Sequence, residues 1–165
     1  MKTKAYKIGS KKIKATNLDK IFFPKSKITK KDVLDYYRKI APTMLPYVRG
    51  RAMNMVRAPN GIKGDVFYMQ HRPEYFPYWV DSFTLRKIGG KVTHVVCNNL
   101  AVPTYLAEEG FITFHIWNSK IKNIKNPDRL ILDLDPPEGN GNFELVRRAA
   151  FIIKDFFDSM GVKTF

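Results

Sequence analysis

At 165 residues the chain is long enough for one domain with a real core and short for two. A hydrophobic fraction of 44% and an aromatic fraction of 13% exclude a disordered chain, and a net charge of +14 points to an anionic partner, either nucleic acid or an acidic membrane surface. No apolar run approaches a membrane span, and the polar N-terminus lacks a signal-peptide core. With one cysteine and three histidines, neither an internal disulfide nor a zinc site of the usual kind is expected, so the chain reads as cytoplasmic.

Tyr6 to Lys14, apolar on both sides of Gly9-Ser10, predicts a short hairpin. Thr29-Lys30-Lys31-Asp32 has capping-box spacing, with Asp where Glu is preferred, and starts a helix carrying Val33, Leu34, Tyr37 and Ile40 that should stop near Pro42. Arg51 to Arg57 and Val66 to Met69 read as strands joined through Pro59-Asn60-Gly61, with another strand at Val92 to Val96 that ends beside a buried Cys97 thiol. Asn99 is placed to cap a short helix that has Pro103 in its first turn and closes at Gly110. Phe111 to Trp117 predicts a strand, and so does Arg129 to Asp135 after the turn Asn126-Pro127-Asp128. A loop over Pro136 to Gly141 leads to a long helix with Phe143, Val146, Ala150, Ile153, Phe157 and Met160 on one stripe, closed by Gly161. Irregular interleaving of strands and helices with tight turns predicts a single α+β domain over 1–165, built on a mixed, mostly antiparallel sheet.

Residues 1 to 31 hold eleven lysines and one acid, Asp19. Either this stretch is the binding surface, or it is a solvated lysine-rich face of the kind common in thermophiles. The chemistry most worth testing lies in Asp133-Leu134-Asp135-Pro136. Two carboxylates at i and i+2 of a strand project the same way, roughly 7 Å apart, which suits a clamp for Mg²⁺ or Mn²⁺. The competing reading is a strand end that forms a turn.

The ordered motifs resemble the polymerase domain of bacterial and archaeal ligase D, the end-joining branch of the archaeo-eukaryotic primase superfamily. They include Asn17-Leu18-Asp19-Lys20, Arg49-Gly50-Arg51, Val56-Arg57-Ala58-Pro59-Asn60-Gly61, His71-Arg72-Pro73-Glu74, His115-Ile116-Trp117 and Asp133-Leu134-Asp135-Pro136. The resemblance implies metal-ligand and catalytic roles for Asp133 and Asp135, with Mn²⁺ or Mg²⁺ supporting templated nucleotidyl transfer that fills gaps with ribo- or deoxyribonucleotides. It implies that His115 approaches the incoming nucleoside triphosphate, against the alternative of an ordinary strand histidine. Lys20 and Asn17 match residues that grip the 5′-phosphate of a DNA break, and Lys25 or Lys27 would supply a second cation. Phe67-Tyr68 matches an aromatic pair that stacks on template, one of the two being structural, while Arg51 and Arg57 are candidates for template-backbone contact, against the alternative of an ordinary surface salt bridge.

The sequence also departs from that pattern. Met69-Gln70 stands where the family commonly carries Gln-Lys, and the family's glycine-rich triphosphate loop and third metal-binding aspartate have no counterpart in the 165 residues. Efficient polymerisation by these residues alone is therefore not expected. The alternative function is a non-catalytic module that recognises 5′-phosphorylated DNA ends, with Ku, a ligase or a second chain carrying the missing half as further expected partners.

Overall fold

The computed structural model describes residues 3–136 and 142–165. They divide into two compact units, Met1–Arg129 and Leu130–Phe165. The first unit opens with an antiparallel hairpin, β1 (Lys4–Ile8) and β2 (Lys11–Ala15), turned through Gly9-Ser10 as the sequence predicts. A smaller hairpin, β3 (Ile21–Phe23) and β4 (Ile28–Thr29), leads directly into α1 (Lys30–Val48). The strands β5 (Ala52–Arg57), β6 (Phe67–Met69), β7 (Ser82–Lys87), β8 (Gly90–Val96) and β9 (Phe111–Ile116) form a five-stranded sheet, and α2 (Ala101–Glu108) connects β8 to β9. Every strand pair is antiparallel, giving the expected α+β architecture.

β5 organises the sheet. Residues 53 to 57 pair with β9 along one edge, while the other edge takes β8 at Ala52 and Met53 and β6 at Met55 to Arg57. Alternation sends Met53 and Met55 to one face, where they join Leu45 and Val48 of α1, Val102 and Leu106 of α2, Val95 and Phe111 in one core cluster. A second cluster gathers Tyr6, Ile13, Phe22, Val33, Leu34, Ala101 and Ala107, and so holds both N-terminal hairpins on the two helices. Cys97 is buried as expected, and burial pushes its thiol up to about 12.

Three sequence expectations need correction or completion. The capping box forms, with Asp32 Oδ2 accepting the Thr29 N–H at 2.9 Å and the Thr29 side chain accepting from the Asp32 N–H. The helix, however, runs through Pro42 and Pro46 to Val48. Each proline costs an intrahelical bond, but the buried face of Val33, Leu34, Ala41, Leu45 and Val48 is set by packing on α2 and the sheet, and that packing outweighs the local penalty. β7 was not read from the sequence, although Phe83 and Leu85 alternate with polar residues before the turn glycine Gly89.

The third correction concerns Arg129 to Asp135, which is no strand. Among the described residues no strand pairs with it, and Leu130 and Ile131 are exposed at 69% and 66%. An apolar run becomes a strand only when its backbone groups find a neighbouring edge. The loop expected at Pro136 to Gly141 lies outside the described residues beyond Pro136. Within the second unit the long helix forms as α3 (Phe143–Ser159), with Asn142 Oδ1 accepting from the Glu144 N–H at 3.0 Å and Gly161 just past the end at a φ of 72°.

The turn after β5 requires glycine for two reasons at once. Gly61 has a φ of 80°, and a Cβ there would sit 2.8 Å from the carbonyl oxygens of Ile21 and Phe22. Its neighbour Ile62 donates its N–H to Phe22 O at 2.9 Å, so the turn is laced to β3. Gly61→Ala should therefore cost about 2–4 kcal/mol of stability, combining left-handed strain with overpacking against backbone. A denaturant melt checks this, and a change below about 0.5 kcal/mol would mean that the turn can move away.

Candidate nucleic-acid interface

The N-terminal lysines converge because of backbone pairing. Lys20 N–H donates to Asn17 O at 3.0 Å, closing a turn in which Asn17 takes a φ of 54°, a conformation that asparagine tolerates better than most residues. Lys30 N–H then donates to Lys20 O at 2.7 Å, and Lys31 N–H to Leu18 O at 3.0 Å. The start of α1 is thereby tied to the Asn17–Lys20 turn, and two lysines ten positions apart become neighbours.

Together they line a cleft of about 320 Å³ whose chemistry is carried by Asn17, Lys20, Lys30, Arg57, Glu108 and Glu109. Lys20 Nζ donates to Pro59 O at 3.0 Å and Asn60 Oδ1 at 2.8 Å, leaving one of its three protons unassigned. Lys30 is only 7% exposed, and its Nζ lies 3.0 Å from Glu108 Oε2. Glu108 Oε1 accepts from both the N–H and the hydroxyl of Thr16 at 3.1 Å, which fixes the carboxylate and through it Lys30. Arg57 donates from Nε to Glu109 O at 2.8 Å, and Tyr75 donates its hydroxyl to Glu109 Oε2 at 2.9 Å. Three cations face two carboxylates, an excess of one positive charge that favours a small anion, and hydrogen bonds to protein acceptors hold these side chains in place beforehand.

Lys30 lines the cleft although sequence reasoning did not name it. Lys25 and Lys27, named there instead, sit exposed in the β3–β4 turn and do not line the cleft. A signal was present: a lysine at the first position of a helix opposes the macrodipole, which makes a nearby anion the natural explanation. Arg51 also differs from expectation. It is 3% exposed and donates to Trp117 O, Asn118 O and Asp128 Oδ2, so its fork staples the segment after β9 and is not presented to a template. The hydrogen bonds from that guanidinium hold the Asp128 carboxyl below the usual carboxylate range.

The face of the sheet opposite α1 and α2 collects other predicted residues. Register puts His115 across from Asn54 and Tyr68 across from Val56, so His115 and Tyr68 share that face. Tyr68 is 84% exposed, whereas Phe67 alternates to the side of Met69, which packs against the core. The register thus separates the two rings, although Phe67 is itself 48% exposed and joins neither core cluster.

The sequence matches the LigD primase-polymerase domain family over residues 29–165. The chain belongs to that family. It is 32% identical over 154 residues to the bifunctional non-homologous end joining protein LigD of Bacillus subtilis, a match that spans 93% of this chain and 24% of that protein. It is 28% identical over 130 residues to the multifunctional non-homologous end joining protein LigD of Mycolicibacterium smegmatis, spanning 78% of this chain and 17% of the relative. In fold it resembles the polymerase domain from Mycobacterium tuberculosis ligase D, solved in complex with DNA, with a TM-score of 0.80 at 24% identity over 90% of this chain and 54% of the other. The chain thus spans about a quarter of the first of these LigD proteins and about half of the solved polymerase domain.

The LigD family pair Asp133 and Asp135 lies in the second unit, on the exposed, unpaired segment before Pro136. Their alternation still gives two carboxylates of like direction if the segment is extended, but two carboxylates leave most of the coordination shell of a hard divalent cation to other oxygens. Among the described residues no group of three or more His, Cys, Asp and Glu side chains is close enough to hold a metal ion. Among the described residues, Asp133 and Asp135 by themselves do not make up a complete Mn²⁺ or Mg²⁺ site. Among the described residues no helix is long and apolar enough to cross a membrane.

Proposed function

We propose that this chain holds DNA ends by their 5′-phosphate during non-homologous end joining, with the Asn17, Lys20 and Lys30 cleft as the phosphate seat. The observation that carries the reading is the convergence of Lys20 and Lys30 on one cleft, each already fixed by protein acceptors. Ammonium groups suit a phosphate monoester because they need no planar fork geometry, and their spare protons complete charge-assisted hydrogen bonds to its oxygens. Glu108 and Glu109 moderate the local charge, so a dianionic end phosphate gains more from the cleft than a singly charged internal phosphodiester does.

The same reading assigns Tyr68 to stacking on template and His115 to the side of an incoming nucleotide, both on the open face of the sheet. Templated nucleotidyl transfer with Mn²⁺ or Mg²⁺ at Asp133 and Asp135 would require further oxygen ligands and a triphosphate-binding set in addition to these residues.

The test is affinity for a recessed duplex end carrying a 5′-phosphate against the same end carrying a hydroxyl. The phosphorylated end should bind about a hundredfold or more tightly, two charge-assisted hydrogen bonds being worth about 1.5–3 kcal/mol each. Rising salt should weaken both. Equal affinity for the two ends would overturn the assignment.

A further inference from the structure

The β1–β2 hairpin carries five lysines, and the structure separates them into two kinds. Lys4 lies over the Tyr6 ring at 4.9 Å and Lys11 over the Tyr78 ring at 5.5 Å, so both are satisfied within the fold. Lys7, Lys12 and Lys14 are exposed, and among the described residues none of them makes an ion pair or ring contact. The register sets Lys7 directly opposite Lys12, and Lys14 opposite Ala5, on the face turned away from buried Tyr6 and Ile13. Like charges directly opposite one another destabilise a hairpin, and no acid on this face relieves them.

We propose that this outer hairpin face is a second nucleic-acid contact, one that holds the phosphodiester backbone of duplex DNA leading away from the cleft. The chemistry of the face selects that partner. Its only other outward residue among these pairs is Ala5, so it has no ring on which an unstacked base could rest and no apolar surface to enter a bilayer. What it offers is a set of point charges, with Lys12 and Lys14 about 7 Å apart along one strand, and that set reads backbone without sequence. Thr16, which lines the cleft, follows Lys14 after a single residue, Ala15, so the lysine row runs up to the phosphate seat. The choice of DNA over another polyanion rests on the end-binding reading, but the surface itself does not depend on Lys20 or Lys30.

The experiment measures binding of the full chain to 5′-phosphorylated and 5′-hydroxyl recessed duplexes across a salt series, for the parent and for Lys7→Ala/Lys12→Ala/Lys14→Ala. The triple variant should bind both duplexes more weakly by the same factor, and its log affinity against log salt should be shallower by about 0.9 for each lysine removed. The phosphate-to-hydroxyl ratio should not change. Lys12→Glu supplies the control for folding: it replaces repulsion with attraction across the pair, so it should melt at or above the parent temperature while binding duplex more weakly. Unchanged affinity and slope in the triple variant would overturn the proposal. So would a loss confined to binding of phosphatidylserine vesicles. Failure of the phosphate seat appears elsewhere, as a phosphate-to-hydroxyl ratio near one in the parent.

Discussion

Replacing Lys20 and Lys30 together with alanine should remove the preference for a 5′-phosphorylated end, lowering affinity for it by about a hundredfold or more while barely changing affinity for the hydroxyl end. The magnitude follows from two charge-assisted hydrogen bonds of about 1.5–3 kcal/mol each. The two positions should also differ from each other. Lys20 bonds to neutral acceptors, Pro59 O and Asn60 Oδ1, so Lys20→Ala leaves only polar groups that water can reach. Lys30→Ala strands Glu108, whose side chain is 11% exposed, and so adds a stability loss to the binding loss. Lys30→Met/Glu108→Gln separates the two effects. It removes both charges, regains most of the stability and still fails to distinguish phosphate from hydroxyl. If that double variant keeps the full preference, Lys30 is a structural ion-pair partner and the seat belongs to Lys20 and Asn17 alone.

The largest stability effect is expected beneath the cleft, at Phe22. This ring is fully buried in the cluster that joins β3 to α1, α2 and the first hairpin, and it also lines the cleft floor. Phe22→Ala should cost about 3–5 kcal/mol, through lost transfer energy and a residual cavity. For a chain of this size that corresponds to a fall in melting temperature of about 6–20 °C. Phosphate discrimination should weaken as well, because Lys20 and the Pro59–Gly61 turn are both anchored to the strand that Phe22 holds down. Phe22→Leu keeps most of the volume and should restore discrimination with most of the stability. A wild-type melt for Phe22→Ala would mean that the second core cluster contributes little to folding.

Particular residues show why some of this was legible in the linear chain. The Gly9-Ser10 hairpin, the Thr29/Asp32 capping box, the Gly161 end of α3 and the alternation of β9 are local patterns, decided within a few residues by backbone sterics and side-chain capping. Arg129 to Asp135 and the Pro42 stop failed for the opposite reason. A strand needs a partner edge that lies elsewhere in the chain, and a proline inside a helix is tolerated or not according to packing that no window of sequence contains.

For function the division falls in the same place. The linear chain carried the family motifs, the lysine-rich N-terminus and the candidacies of Asn17, Lys20, His115 and the Asp133/Asp135 pair, because residue identity and order are enough to raise them. Only the tertiary structure decided that Lys30 stands in the cleft and Lys25 and Lys27 outside it, that Arg51 is buried against Asp128, and that Tyr68 and Phe67 take opposite faces. Those outcomes depend on strand register, on the hydrogen bonds between α1 and the Asn17–Lys20 turn, and on which charges find a partner across the fold. Such relations join residues tens of positions apart, and chain order does not encode them directly.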